Sequence, residues 1–123
     1  MARIANRMQE AVTRLAAVFK ANASIVVNID DATGLRLVTT IAATPGRTPY
    51  EILDGGVIVP YESHDFIIAV ADLNGNVPAS GWTITDCTNG PNGRKFIVSM
   101  PGKMNVYESF QGIAYKIHTK AVS

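Results

Sequence analysis

From residue 24 onward, the sequence is a succession of short segments rich in β-branched residues and separated by turn-forming residues. SIVVNID (24–30) and LRLVTTIAA (35–43) flank DATG, whereas WTITDCT (82–88) and RKFIVSM (94–100) flank NGPNG. IAYKIHTKAV (113–122) alternates apolar and polar residues. Segments of this kind at short spacing are typical of small barrels and sandwiches. We therefore expect a body built mainly of β-strands.

The most specific turn signal is Asp54-Gly55-Gly56, which lies between YEIL (50–53) and VIVPY (57–61). Asp-Gly supplies the positive φ angles of a tight two-residue turn, so the pattern predicts a β-hairpin. The preceding stretch TPGRTP (44–49) contains two prolines and a glycine. This composition predicts an exposed loop that interrupts the strand.

The stretch YESHDFIIAVADL (61–73) predicts a strand that is covered on both sides. Successive side chains of a strand point to opposite faces, and both faces are apolar here. One face carries Phe66, Ile68 and Val70, and the other carries Ile67, Ala69 and Ala71. Asp65 and Asp72 are expected to be the polar ends of this strand.

An amphipathic helix is predicted for residues 3–21. Its apolar residues recur at spacings of three and four and fall on one stripe: Ile4, Met8, Val12, Leu15 and Phe19. Arg3, Arg7 and Arg14 flank this stripe together with Glu10. Such a charged flank is usually solvated, and the alternative is a docking surface for an acidic partner.

Length and composition favour one domain over residues 1–123, with the helix at 3–21 followed by a β body at 24–120. The expected fold is mainly β (α+β), a small barrel or sandwich of about seven short strands with one N-terminal helix. Eleven basic and ten acidic residues leave a formal charge of +1. This balance argues against a protein that coats nucleic acid.

The single cysteine, Cys87, cannot form an internal disulfide and suits a reducing compartment. No apolar stretch reaches the ~20 residues of a membrane helix. The N-terminus lacks the apolar stretch and cleavage site of a secretory signal. We therefore expect a protein that stays where it is made and does not enter a membrane.

Neither histidine lies in a pattern that indicates catalysis. His64 and Asp65 are sequence neighbours, so in a strand they point to opposite faces and cannot easily pair. In KIHTK (116–120), an inward Ile117 predicts an outward His118 with no ligand partner nearby. We predict no catalytic residue, no metal site and no cofactor.

A second class of function is a small β-barrel that binds single-stranded nucleic acid. Such binding needs exposed aromatic rings interleaved with basic residues. The candidates are Lys95, Lys103, Lys116 and Lys120 with Tyr107, Phe110 and Tyr115. Tyr107 and Phe110 are more simply interpreted as satellite core contacts under a long loop.

The order of these segments resembles the small neck proteins of tailed bacteriophages and prophages, of the head-closure (stopper) or head-tail connector type. The matching residues are Asp65, Phe66, Ile67, Ile68, Ala71, Asp72 and Leu73, then Pro78, Gly81 and Ile84, and finally Lys116, Ile117, His118, Thr119 and Lys120. Trp82 departs from the family pattern, which has aspartate after the glycine. Tyr107-Glu108-Ser109-Phe110 departs from an aromatic-Ser-Asp-Pro-like stretch.

The resemblance implies a structural virion protein, not an enzyme. It implies a ring of about six or twelve copies below the portal that closes the DNA-filled head and gives the tail a platform. The implied partners are a portal or adaptor protein, a tail or next neck protein, and double-stranded DNA passing through the channel. The implied location is the virion neck, after assembly in the host cytoplasm. A tail terminator or a portal adaptor is the neighbouring alternative.

Two loops are candidates for facing the channel or a partner, NGNVPASG (74–81) and PGKMNVYESFQG (101–112). Together with the charged flank of the helix, they give the candidate interaction residues: Arg3, Arg7, Arg14, Asn74, Asn76, Lys103, Tyr107 and Phe110.

Overall fold

The computed structural model describes residues 23–122 and shows a mainly β protein. The strands are β1 (Ile25–Asp30), β2 (Arg36–Asp54), β3 (Val57–Ala69), β4 (Thr83–Asp86), β5 (Lys95–Val98), β6 (Tyr107–Phe110) and β7 (Ala114–Ala121), with a 3-10 helix at Val70–Leu73. The seven strands agree with the predicted number, although β2 and β3 are much longer than expected. The helix predicted for residues 3–21 lies outside the described residues. Within residues 23–122, no helix has the length and apolar character needed to cross a bilayer.

All seven strands belong to one antiparallel sheet with the order β3-β2-β1-β4-β5-β7-β6. An additional pairing of β3 with β7 brings the sheet back on itself, so that it forms nearly a ring. One edge of β7 pairs with β3, and its other edge is shared between β6 and β5. Closure of this kind removes most free strand edges.

The core lies inside the ring and is formed by the alternate residues that point inward. Val27 and Ile29 of β1, Ile84 of β4 and Ile117 of β7 are fully buried there. The rings of Phe66 and Phe96 meet edge to face, with their centroids 5.1 Å apart. Such contacts add to the area term that drives burial.

The first half of β2 contains a bulge against β1. The register shifts between Val27 and Ile29, so that Thr39 and Thr40 stand opposite Asn28 alone. Thr40 has a φ of 50°, and its amide donates a hydrogen bond to Oδ1 of Asn28 at 2.7 Å. The Asn28 side chain therefore satisfies an amide that the ladder leaves unpaired.

The TPGRTP stretch is strand, so the predicted loop at 44–49 is wrong. Its two prolines and Pro60 pair with Phe66, Glu62 and Glu51. Residue pairs in an antiparallel ladder are alternately hydrogen-bonded and non-hydrogen-bonded. The three proline pairs are an even number of residues apart, so all three are of the same kind. They are the non-hydrogen-bonded kind, in which the amide points away from the partner strand, because proline has no N–H to donate. The prolines thus cost the β2–β3 ladder no hydrogen bond.

The hairpin predicted at Asp54-Gly55-Gly56 is confirmed. Asp54 pairs with Val57, which leaves the two glycines as the turn. Gly55 and Gly56 have φ angles of 58° and 82°. Two successive positive φ angles match the two-residue turn whose twist suits an antiparallel pair.

The strand predicted through FIIAVADL ends early, at Ala69. Val70–Leu73 forms the 3-10 helix, and Asn74 follows with a left-handed φ of 53°. The amide of Val70 donates to the carbonyl of Ile113 at 2.8 Å. Asp72 therefore does not end a strand, and the chain turns away from the sheet four residues earlier than the apolar pattern indicates.

Candidate functional site

Asp65 and His118 form a buried pair on the outer face of the ring. They stand directly opposite each other in the β3–β7 ladder, and Nδ1 of His118 lies 2.8 Å from Oδ1 of Asp65. Asp65 is 1% exposed and His118 0%. The neighbouring cross-strand pair, Phe66 and Ile117, points into the core instead. The pair therefore lies on the side of the sheet that ordinarily meets solvent.

The Asp65 carboxylate has a full set of donors. The Ser63 hydroxyl donates to Oδ1 at 2.6 Å, and the Thr48 hydroxyl donates to Oδ2 at 2.5 Å. Nζ of Lys116 lies 3.6 Å from Oδ2. An ionised carboxylate only accepts, so Nδ1 of His118 carries the proton of its bond to Asp65. A charge buried with this many partners is stable inside a protein.

The second ring nitrogen of His118 has a different environment. Nε2 is buried and has no hydrogen-bond partner among the residues described. Oε1 of Glu108, on β6, is 3.7 Å away, beyond hydrogen-bond distance. The His118 ring thus extends from the β3–β7 pair towards β6, and its Nε2 is left without the partner that buried nitrogens usually have.

The three residues Ser63, Asp65 and His118 do not have the geometry of a serine triad. In a triad, the carboxylate holds one imidazole nitrogen and the serine hydroxyl contacts the other. Here Oγ of Ser63 lies 3.5 Å from Nδ1, the same nitrogen that contacts Asp65, and its proton goes to the carboxylate. These side chains connect β3 to β7, and they offer no path by which His118 would activate Ser63.

The structure corrects two sequence predictions at this place. His118 does point to the face opposite Ile117, but the prediction that it is exposed is wrong. The prediction that Asp65 is a polar end of its strand is also wrong, because Asp65 lies inside β3 and is buried. The sequence signal that was missed is polar residues spaced by two in each strand, Ser63 with Asp65 and Lys116 with His118. His64 points to the other face, with its ring centroid 5.5 Å from that of Phe96.

A second distinctive region is the part of the β2–β3 hairpin that extends beyond the ring. We call residues 47–63 the arm, because in this part of the hairpin β2 and β3 pair only with each other. Pairing of β2 with β1 ends at Ala43, before the arm, and pairing of β3 with β7 begins at His64, after it. The arm extends for about 25 Å at the usual rise of a strand. Its large exposed apolar residues are Ile52, Leu53, Val57, Ile58 and Tyr61.

Both faces of the arm are apolar near the turn. On one face, Leu53 and Ile58 stand opposite each other with 72% and 62% of their surface exposed. On the other face, Tyr50 and Tyr61 stack with centroids 5.7 Å apart. A two-stranded ribbon is only marginally stable in water, and exposed apolar patches mark interaction sites. The arm is therefore the surface of the described chain that most resembles a docking element.

A groove runs between the arm and the loop that follows β5. It has a volume of about 820 Å³ and is lined by Tyr50, Ile52, Pro101, Met104 and Lys103, among others. Gly102 brings the loop close to the arm, since a Cβ at this position would lie 3.6 Å from Cδ2 of Tyr50. The groove is mostly apolar, and its lining includes one acidic residue, Glu51, and one basic residue, Lys103.

The structure does not bring the candidate interaction residues into one surface. Lys103 lies beside the arm, whereas Asn74 and Asn76 follow the 3-10 helix, at the opposite end of the ring. Asn76 ties its own turn, because its Nδ2 donates to the carbonyl of Leu73 at 2.8 Å. Tyr107 and Phe110 lie on β6, and Arg3, Arg7 and Arg14 lie outside the described residues.

Two of the residues proposed to stack on single-stranded nucleic acid contact each other. The rings of Tyr107 and Tyr115 meet edge to face with centroids 4.9 Å apart, and both are partly buried. Lys116, a proposed phosphate contact, forms an ion pair with Asp65 instead. Within residues 23–122, no group of three histidine, cysteine or carboxylate side chains is placed to hold a metal ion.

No known family model matches the sequence, and no curated protein shows significant similarity to it.

Proposed function

We propose that the chain is a structural subunit of a bacteriophage neck, of the head-closure type. In this proposal, copies form a ring below the portal that closes the DNA-filled head and presents a platform to the tail. The body is a small β-barrel against which the amphipathic N-terminal helix packs. The ordered resemblance of its strands to neck proteins motivates the proposal.

The arm is the observation that supports this function best. A ring subunit needs a rigid body and an element that reaches a neighbour, because a heterologous contact repeats until the rotation closes. The ring-like sheet provides such a body, and the arm carries apolar residues beyond it.

The near-neutral charge suits a channel through which DNA must slide. Each phosphate neutralised by the protein adds salt-dependent affinity, and a strongly basic lining would hold the duplex. The chain has a formal charge of +1. A ring of such subunits presents little net charge to the DNA that passes through it.

Binding to the portal of the source virus tests the proposal. We expect the purified chain to bind the portal complex in multiple copies, as measured by size-exclusion chromatography with mass determination. We also expect density for the chain at the neck in images of the virion. Failure to bind the portal together with absence from virions would refute the proposal. Density at the tail end of the neck, away from the portal, would indicate the tail terminator instead.

Binding of single-stranded nucleic acid is the alternative from another class. Fluorescence titration with an oligonucleotide at low salt measures it directly. The mutual contact of Tyr107 and Tyr115 and the ion pair of Lys116 disfavour it. We therefore expect no saturable binding at low salt.

A further inference from the structure

The arm has two faces, and within residues 23–122 another part of the chain approaches only one of them. The loop after β5 lies against that face, where a Cβ at Gly102 would contact the ring of Tyr50. The other face continues the core side of the sheet, since its residues lie an even number of positions from the buried Phe66 or pair with such residues. We call it the core-side face. All seven of its residues are exposed: Arg47, Pro49, Glu51, Leu53, Ile58, Pro60 and Glu62.

The edges of the arm are poorly suited to pair with another strand. Pro49 on β2 and Pro60 on β3 occupy positions whose amides would point outward from the hairpin. Each free edge therefore lacks a donor where an added strand would need one, which protects against edge-to-edge pairing. A partner of the arm has to lie on a face, as a helix does when it packs on a sheet.

The core-side face is apolar near the turn and acidic behind it. Leu53 and Ile58 stand opposite each other and are both largely exposed. Glu62 already pairs with Arg47 at 3.1 Å, whereas Glu51 forms no ion pair within residues 23–122. A complementary partner therefore presents apolar side chains with a basic residue beside them.

The N-terminal segment of the sequence has this composition. In the helix predicted for residues 3–21, Ile4 and Met8 belong to the apolar stripe, and Arg3 and Arg7 flank it. Residues 1–22 contain four basic residues and one acidic residue, whereas the arm contains one basic residue and three acidic ones. The two surfaces are thus complementary in polarity and in charge, and like charges disfavour contact of either surface with a copy of itself.

The segment also leaves the sheet at the end from which the arm extends. β1 begins at Ile25, which pairs with Ala43, and β1 runs antiparallel to β2. The chain before Ile25 therefore leaves the sheet in the direction in which β2 enters the arm. Ile25 and Arg47 line the same cavity of about 220 Å³ at the base of the arm. A helix over residues 3–21 would span about 28 Å, so its N-terminal half can extend beyond its own barrel.

We propose that residues 3–12 of one copy pack on the core-side face of the arm of the next copy. Met8 covers Ile58, and Arg7 lies beside Glu51, while the C-terminal half of the helix stays against its own barrel. Because Ile58 is largely exposed in the single chain, it becomes covered only on assembly.

This contact can repeat around an assembled ring. The segment and the arm are different surfaces that leave the subunit at the same end, so rotation about one axis brings each segment to the next arm. The inference rests on the proposed function, since it names a contact between neighbours in the ring.

Disulfide trapping tests the contact. The test variant combines Met8→Cys with Ile58→Cys in a Cys87→Ser background, which removes the native thiol. The matched control combines Met8→Cys with Val57→Cys, because Val57 is adjacent to Ile58 and equally exposed but points to the opposite face of the arm. Both variants are oxidised at equal concentration, free and bound to the portal complex. Non-reducing electrophoresis then separates linked multimers from single chains that are closed on themselves.

We expect reducible multimers from the test variant at a yield several-fold above that of the control. Arg7→Glu in the test variant should lower this yield several-fold, and adding Glu51→Arg should restore it. Equal yields from test and control, a yield that does not follow these charges, or a disulfide only within one chain would overturn the inference.

Portal binding of the wild-type chain, measured in parallel, separates this inference from the proposed function. A wild-type chain that binds the portal while test and control give equal yields leaves the proposed function intact and refutes only this contact. Multimers of the free test variant above the control, without any portal binding, would refute the proposed function and support the contact.

Discussion

The same two strands, β2 and β3, form two regions that reverse the usual distribution of polar and apolar residues. Within the ring, they bury a carboxylate, Asp65, with two hydroxyls and an imidazole around it. Beyond the ring, they expose Leu53 and Ile58 to solvent. Strand β7 contributes two partners of Asp65, His118 and Lys116, and the base of the arm contributes the hydroxyls of Thr48 and Ser63. Near the turn, the two strands of the arm pair only with each other. Neighbouring strands, and not the composition of a strand alone, decide which side chains are buried.

Removing the buried charge should have the largest effect. Asp65→Asn leaves Lys116 without its counter-charge and replaces one accepting oxygen by an NH2 group that faces groups now donating to Asp65. Breaking a buried pair in this way costs about 3–5 kcal/mol of unfolding free energy. Urea unfolding measures this loss. Glu62→Gln is the control, because Glu62 forms an exposed ion pair with Arg47 on the arm and its removal should cost less than about 1 kcal/mol. Equal losses for the two variants would contradict the comparison.

Valine-to-alanine substitution at two positions compares packing in the ring with packing in the arm. Val98 is fully buried, and Val57 is 62% exposed. Val98→Ala should lower the unfolding free energy by about 2–3 kcal/mol through lost burial and a cavity, whereas Val57→Ala should stay within about 0.5 kcal/mol. Chemical denaturation of both variants gives the difference. A cost above about 1.5 kcal/mol for Val57→Ala would mean that the arm tip is packed in the free protein.

The same substitution at two glycines compares the turn of the arm with the residues just before the arm. Gly55 has a φ of 58°, so Gly55→Ala should cost about 1–2 kcal/mol because a Cβ is strained there. Gly46 has no positive φ, and a Cβ there would lie 3.7 Å from the Cβ of Asp65, an ordinary contact. Gly46→Ala should therefore leave stability unchanged or raise it by up to about 1 kcal/mol. Thermal unfolding followed by circular dichroism distinguishes the two, and a larger loss at Gly46 would mean that Asp65 needs that space.

An exposed carboxylate gives the smallest effect. The Thr33 hydroxyl, followed by the Leu35 amide, holds the pKa of Asp31 below its ordinary value of 3.8. A lowered pKa in the folded state adds stability above pH 3.8 that is lost as the pH falls through the folded pKa. The stability difference between wild type and Asp31→Asn should therefore be small at neutral pH and should shrink on acidification. Melting temperatures at several pH values measure it, and a difference that grows in acid would contradict this assignment.

Local signals in the sequence predict most strands and the hairpin turn, because turn chemistry and alternation act between near neighbours. They do not predict the partnership of Asp65 and His118, which are 53 residues apart and meet only through the β3–β7 register. The loop expected at TPGRTP fails for a related reason. Proline disrupts a strand only where its missing amide would have been used, and at Pro45 and Pro49 the β2 edge has no neighbour. The arm's free edge thus explains both the wrong prediction and the exposed apolar residues.

The bulge at Thr40 determines which way the arm presents its two faces. Strand side chains alternate with a period of two residues, so the extra residue opposite Asn28 shifts the phase of β2 after the bulge relative to the residues just before it. A second register shift lies between Ile29 and Asp30. Without it, either the strand before the bulge or the whole arm would turn over. The hydrogen bond from the Thr40 amide to Oδ1 of Asn28 lies where this phase changes, thirteen positions before Leu53. Asn28 therefore stabilises the bulge after which the side chains of β2 change faces.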